Sequence, residues 1–130
     1  MNIICSPDAN DMMKWEAVIL GPEDTDWQGG IFKLMITFGN DYPTAPPKVR
    51  FLTKMFHPNI YLNGEICLDI LQNNWTPTYT AVEALLSIQS LLDDPNCKSP
   101  ANPEASQLYE FDRLEYTKRV LDCVEKSWIS

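Results

Sequence analysis

Alternation of apolar and polar residues in the first third of the chain predicts β-strands. Across residues 31–38 every second side chain is large and apolar, as expected for a strand with one buried face. A second strand is predicted over Lys14–Leu20, where the run ends at Gly21-Pro22, and a third over residues 48–52, after a proline-rich stretch. We therefore predict an antiparallel meander in this part of the chain.

The periodicity disappears after this meander. Residues 55–77 show no helical spacing and contain Pro58, Pro77 and the turn pair Asn63-Gly64. Long irregular segments inside compact domains commonly carry functional residues. We predict mostly irregular backbone here, with a turn at Asn63-Gly64.

Helical spacing dominates the rest of the chain and predicts three helices. Their start signals are the capping pairs Thr80 with Glu83 and Asp112 with Glu115, and the pair Asn102-Pro103. The apolar faces are predicted to contain Val82, Leu85, Leu86, Ile88 and Leu92 in the first helix, and Tyr116, Val120, Leu121 and Val124 in the third. Because the strands precede the helices, the fold class is predicted to be α+β, in a single domain over residues 1–130.

The net charge of the chain disfavours two classes of binding partner. The 130 residues include 10 Lys plus Arg against 18 Asp plus Glu, a net charge of -8. This excess of carboxylates repels phosphate backbones and anionic lipid surfaces, so we expect no direct nucleic-acid binding and no membrane association. No apolar run approaches the roughly 20 residues that span a bilayer, and we expect a soluble, intracellular protein.

The cysteines show no paired spacing. Cys5, Cys67, Cys97 and Cys123 are scattered along the chain, and His57 is the one histidine. We therefore expect reduced thiols and no metal site.

Cys67 is the main candidate for chemistry, because it lies in the irregular segment between two carboxylates, Glu65 and Asp69. Carboxylates near a thiol disfavour its ionised form. This setting does not favour the thiolate of a cysteine hydrolase, although His57 with Asn59 as its orienter remains an alternative, as does a cysteine that is simply buried. The acidic setting suits a thiol that receives an acyl group by exchange and passes it to an amine.

Four short motifs follow one another along the chain: Tyr42-Pro43-x-x-Pro46-Pro47, His57-Pro58-Asn59, Gly64-x-Ile66-Cys67-Leu68-Asp69-Ile70-Leu71 and Trp75-x-Pro77. In this order and spacing they resemble the catalytic domain of ubiquitin-conjugating enzymes. The resemblance implies an antiparallel four-stranded meander followed by a long active-site loop and C-terminal helices. Residues 69–79, 87–93 and 99–102 are most similar to the postreplication-repair subgroup, whose members work with RING ligases on histone and sliding-clamp lysines.

The resemblance assigns roles to five residues near the cysteine. Cys67 would accept the ubiquitin carboxyl terminus as a thioester from the activating enzyme and pass it to a substrate lysine. Asn59 would support the loop and the oxyanion, Asp69 would activate the lysine, and Ser99 would stand at the lysine gate, where many relatives carry an acid. His57 would be structural.

The resemblance also implies partners. Asn96 would contact the ubiquitin tail, and the activating enzyme and a RING-type ligase would contact a surface formed by Thr44, Trp75, Thr76, Pro77 and Thr78. From the residues alone, these loops are equally consistent with ordinary rigid turns. No cofactor is expected, since the activating enzyme consumes the ATP. The implied process is DNA repair, and the implied location is the cytoplasm and nucleus.

One departure from the family concerns the start of the chain. Family members begin with a basic helix that packs on the sheet, whereas Met1 stands just before the first predicted strand. We therefore expect apolar surface left uncovered. The alternative function is an impaired truncated variant, or a non-catalytic ubiquitin-binding module like the family's inactive members; Cys67 together with Asn59 favours the enzyme.

Overall fold

A four-stranded antiparallel sheet forms the first half of the molecule in the computed structural model, which describes residues 3–129. The strands are β1 (Ile3–Pro7), β2 (Lys14–Leu20), β3 (Ile31–Thr37) and β4 (Lys48–Phe51). Each strand pairs with the next one along the chain, so the predicted meander is confirmed. The apolar pattern did not mark β1, because this edge strand buries only Ile3 and has no alternation.

One face of the sheet forms one side of the core. Ala17 pairs with Leu34, and Leu34 pairs with Phe51, so these side chains form a row across three strands. All three are buried, which is the arrangement expected when alternate residues of each strand face the helices.

Three helices follow the sheet: α1 (Ala81–Asp93), α2 (Pro103–Phe111) and α3 (Arg113–Ser127). The first and third contact the strands, and α2 packs on α3. The predicted start signals are confirmed. Thr80 and Glu83 form a reciprocal capping box, and the side chains of Asn102 and Asp112 cap α2 and α3. Gln89 of α1 donates from Nε2 to the carbonyl of Leu20 at 2.9 Å, which ties α1 to the end of β2.

The predicted helix faces need a correction at three positions. Val82, Leu86 and Leu121 were expected among the buried apolar residues, but their side chains are 41%, 48% and 46% exposed. Residues on either side of the buried stripe satisfy the same i, i+3, i+4 spacing, so the pattern alone does not separate them. Only the docking angle of each helix on the sheet decides which ones are covered.

An open apolar groove of about 600 Å³ lies between the sheet and the start of α1. We call it the Met12 groove, after a methionine whose side chain is 85% exposed. It is lined by Cys5, Met12, Met13, Trp15, Ile36, Phe38, Gly39, Asn40, Tyr42, Thr80, Ala81 and Val82. Uncovered apolar surface was expected from the sequence, and the groove also accounts for the exposure of Val82.

Candidate active site

The segment that carries Cys67 is fixed at both ends by backbone contacts. Gly64 adopts a φ of +93°, and a Cβ there would lie 2.1 Å from the carbonyl oxygen of Phe51, so the predicted turn requires glycine. The Phe51 amide donates to the Gly64 carbonyl at 2.8 Å, and the Cys67 amide donates to the Asn59 carbonyl at 2.8 Å. Cys67 is therefore held beside Asn59 with a partly exposed side chain.

His57 lies inside the protein and has both ring nitrogens engaged by backbone. Nε2 donates to the carbonyl of Leu91 at 2.7 Å, and Nδ1 accepts from the amide of Asn59 at 2.9 Å. Burial lowers the pKa of His57 to about 4, which keeps the imidazole neutral near pH 7. A cysteine hydrolase needs an imidazolium beside its thiolate, and a neutral His57 does not provide one. His57 instead links the loop of residues 57–59 to α1.

The carboxamide of Asn59 joins two loops. Its Nδ2 donates to the carbonyl of Asn96 at 2.7 Å, and its Oδ1 accepts from the amide of Asn96 at 2.7 Å. The carbonyl of Pro58 accepts from the amides of Ala101 and Asn102 at 2.7 and 3.0 Å. The structure thus brings together Cys67, Asn59 and Asn96, which lie far apart in sequence.

The hydrogen bonds of Asn96, Ala101 and Asn102 also hold both ends of the loop that carries Ser99. Ser99 is exposed on the loop of residues 96–102, between the Asn96 and Pro58 attachments.

The side chain of Asn59 is only 1% exposed. Loop support is therefore the role that its geometry shows, and the oxyanion role remains a prediction.

Asp69 stands at the start of a short 3-10 helix, Asp69–Leu71, directly after the Cys67 segment. Its Oδ1 accepts from the amide of Ile70 at 2.8 Å, and its Oδ2 accepts from Nδ2 of Asn74 at 3.1 Å. The carboxylate is exposed and orders this turn. Sequence reasoning missed Asn74, although an Asp followed five residues later by Asn in a segment without helical spacing was an available signal.

A groove of about 390 Å³ lies between the 3-10 helix and α1. One wall begins at Leu68, next to Cys67, and the carboxylates of Asp69 and Asp94 stand at its edge. Leu86, whose exposure differed from the sequence expectation, lines the other wall. Cys67 itself does not line the groove, which therefore approaches the thiol only through its chain neighbour Leu68.

The loops expected to contact partner proteins are only partly exposed. The Trp75 side chain is buried, with Nε1 donating to the carbonyl of Pro43 at 2.9 Å and the ring packed on Tyr42 and Tyr79. Trp75 thus differs from the expectation: it joins the two loops and supports their surface from within. The exposed residues of these loops are Thr44, Thr76, Pro77 and Thr78.

Metal binding, thiol chemistry and membrane insertion are the other possibilities for residues 3–129. No group of three or more His, Cys, Asp or Glu residues in this range is arranged to hold a metal ion. All four cysteines are free thiols, and burial raises the pKa of Cys123. Within the same residues, no helix has both the length and the apolar character to cross a membrane.

Comparison with known proteins identifies the family. A family profile described as "Ubiquitin-conjugating enzyme" matches residues 1–124. The proteins named "Ubiquitin-conjugating enzyme E2 2" from Fusarium solani and Trichoderma harzianum are each 56% identical over 126 residues, which cover 97% of this chain and 83% of each relative. The chain therefore belongs to the ubiquitin-conjugating enzyme family, whose members transfer ubiquitin through a cysteine thioester.

Proposed function

We propose that Cys67 is the residue that carries ubiquitin. The observation that supports this assignment most strongly is the Cys67–Asn59–Asn96 arrangement, in which a partly exposed cysteine is hydrogen-bonded to the residue that joins two loops. In the loading step, Sγ of Cys67 attacks the thioester that the activating enzyme holds. A new C–S bond forms, the old one breaks, and the proton lost by Cys67 goes to the departing thiol. The ATP is consumed by the activating enzyme, so this chain needs no cofactor.

Transfer then proceeds to a substrate lysine. The uncharged amine attacks the thioester carbonyl, the C–N bond forms, and Cys67 leaves as a thiolate that regains a proton. The exposed carboxylate of Asp69 attracts the incoming ammonium, and either the carboxylate or water takes the proton that the amine must lose. Asn59 holds the Asn96 loop, and its amide is our candidate donor to the oxyanion.

We propose further that the partners are ubiquitin, its activating enzyme, a RING-type ligase and protein lysine substrates. Asn96, at the joined loops, is the candidate contact for the ubiquitin tail. Thr44 and residues 76–78 present the exposed hydroxyl and proline surface for the activating enzyme and the ligase. The motif similarity supports membership of the postreplication-repair subgroup, and hence a role in DNA repair and a location in the cytoplasm and nucleus.

A ubiquitin-binding module without catalysis is the competing function. The open Met12 groove is the observation that favours it, because an uncovered apolar surface lowers the stability on which loading depends. The partly exposed Cys67, held beside Asn59, favours the enzyme.

A loading assay with ubiquitin, activating enzyme and ATP separates the two. We expect an adduct that reductant removes, a reductant-resistant ester in Cys67→Ser, and no adduct in Cys67→Ala. Cys97→Ser is the matched control, since Cys97 is also partly exposed, and it should load normally. A reductant-sensitive adduct on Cys67→Ala would show that the assignment is wrong.

The ligase class is tested separately by discharge of preloaded protein with and without a RING domain. We expect Thr76→Arg to reduce the ligase-stimulated rate and to leave the unstimulated rate unchanged. Equal rates with and without the RING domain for the unmodified chain would exclude this ligase class.

A further inference from the structure

Alongside its buried face, α3 carries an exposed apolar stripe. Leu114, Leu121 and Trp128 recur at seven-residue intervals, and their side chains are 72%, 46% and 58% exposed. Residues seven apart lie on one line along an α-helix. We call these three residues the α3 stripe. Its exposure is not explained by the groove beside Cys67 or by the Met12 groove, since neither is lined by these residues.

Two opposite charges flank the stripe. Lys118 and Glu125 each follow a stripe leucine by four residues, and both side chains are exposed. Within residues 3–129, neither forms an ion pair, whereas Lys126 pairs with Asp122 at 2.9 Å on the adjacent side of α3. The stripe therefore has a cation near its N-terminal half and an anion near its C-terminal half.

The side chain of Trp128 is held in one orientation at the C-terminal end of the stripe. Its Nε1 donates to the carbonyl of Gly29 at 2.8 Å, which orients the indole while more than half of the side chain stays exposed. An aromatic ring that is already held in place loses little conformational entropy on binding, and tryptophan is enriched among residues that dominate interface energies.

We propose that the α3 stripe binds the same stripe of a second copy of this chain, with the two helices antiparallel. A two-fold axis at Leu121 places Leu121 against its own counterpart and Leu114 against Trp128 of the second copy. Such a self-complementary contact closes as a symmetric dimer.

Charge selects the antiparallel direction. Along the axis, Lys118 lies about 4.5 Å to one side of Leu121 and Glu125 about 6 Å to the other, from the 1.5 Å rise per residue. Antiparallel helices therefore bring Lys118 of each copy near Glu125 of the other, twice. Parallel helices would put Lys118 and Glu125 of the two copies on opposite flanks of the contact, so this pairing would be lost.

The small area of the contact limits the affinity of the dimer. α3 has 15 residues, so two such helices meet over about 22 Å and bury less area than a standard interface, and the net charge of -8 on each copy opposes association. We expect a reversible dimer with a dissociation constant of roughly micromolar or weaker.

Sedimentation equilibrium of the full chain from about 10 μM to about 1 mM tests the proposal. We expect a monomer–dimer equilibrium whose dissociation constant rises on the order of tenfold in Leu121→Glu. Met12→Glu is the matched control, since Met12 is exposed on the other apolar surface, and it should dimerise like the unmodified chain. A monomer at every concentration, or a dimer lost in Met12→Glu and kept in Leu121→Glu, would overturn the proposal.

Exchanging the charges at positions 118 and 125 tests whether the two α3 helices are antiparallel. We expect Lys118→Glu and Glu125→Lys each to weaken the dimer, and the double variant to restore it, because the pair reforms with its signs reversed. A double variant weaker than both single variants would contradict antiparallel pairing.

Cross-linking locates the symmetry axis. Leu121→Cys should form an intermolecular, reductant-sensitive dimer by itself, whereas Leu114→Cys should cross-link only when mixed with Trp128→Cys. Efficient cross-linking of Leu114→Cys alone, in amounts above the unmodified chain with its own four cysteines, would place the axis elsewhere and overturn the arrangement.

Discussion

Asp69 has a structural role that the hydrogen bonds show and a catalytic role that we propose. Its carboxylate accepts hydrogen bonds from Ile70 and Asn74 and thereby orders the turn after Cys67. It is also exposed, so it can attract the ammonium of an incoming lysine. Ser99, exposed on the loop of residues 96–102, is the second residue proposed to act on that lysine.

The lysine gate can be tested by single-turnover discharge of loaded protein to free lysine. Asp69→Asn should slow discharge and Ser99→Asp should accelerate it, each by roughly two- to fivefold, since the charges are exposed and partly screened. Loading should be nearly unchanged in both, because the thioester forms before lysine enters.

Asn74→Ala is the control for Asp69, since it removes a turn hydrogen bond and keeps the carboxylate. If Asn74→Ala slows discharge as much as Asp69→Asn, the role of Asp69 is to order the turn. If Ser99→Asp changes loading as much as discharge, Ser99 does not act on the lysine.

His57 makes the stability of the domain depend on pH. Burial lowers its pKa to about 4 in the folded protein, against about 6.5 in an unfolded chain. Between these values the unfolded state binds a proton that the folded state does not, so this contribution is complete above pH 6.5 and is lost as the pH falls toward 4. From pH 7 to pH 5 we expect His57 to lower the free energy of unfolding by about 2 kcal/mol.

Denaturant titrations at both pH values, compared with His57→Gln, isolate this effect from the carboxylates. The unmodified chain should lose about 2 kcal/mol more than the variant over this interval. Equal losses would mean that His57 is protonated in the folded protein near pH 6.5.

At the scale of the elements, the active-site architecture depends on the joint between two loops. The carboxamide of Asn59 satisfies both backbone groups of Asn96 in a nearly dry environment. Asn59→Ala leaves those groups without a partner, and we expect it to lower the free energy of unfolding by about 1–3 kcal/mol and to slow discharge. Thermal unfolding and discharge rates, measured on the same preparations, check this.

Asn63→Ala is the matched control, because Asn63 forms only exposed turn bonds to Glu65. It should change stability by much less than Asn59→Ala. A large loss of discharge in Asn59→Ala with unchanged stability would favour the oxyanion role over loop support.

At the scale of the whole molecule, the Met12 groove leaves apolar side chains of residues 3–129 uncovered. Covering it with an amphipathic helix added before Met1 should raise the melting temperature, since apolar area leaves water. Faster loading is also expected if the groove limits the stability of the loaded domain. Differential scanning calorimetry and loading rates measure the two effects.

A matched extension with its apolar residues replaced by serine controls for added length. Unchanged melting temperature and loading with the amphipathic extension would show that the domain is already stable without cover. Dimerisation through the α3 stripe should persist in the extended chain, because it uses a different surface.

Local signals in the sequence determined most of the architecture. Strand alternation, the capping pairs at Thr80 and Asp112, and the turn glycine Gly64 act over a few residues, and each was found as predicted. The motif around Cys67 identified the family, because its residue types and spacing are specific. These features depend on residues that are close together in the chain, so a single sequence is enough to predict them.

Tertiary structure decided the features that depend on distant residues. The bond between Asn59 and Asn96 spans 37 positions, the burial of Trp75 depends on Pro43, and the exposure of Leu86 and Leu121 depends on how each helix docks. Periodicity gives the spacing of an apolar face and leaves its rotation against the sheet undefined. The sequence therefore determined the family and most of the elements, with β1 and the 3-10 helix as exceptions. Packing alone decided which side chains reach the site and which apolar residues remain available for a partner.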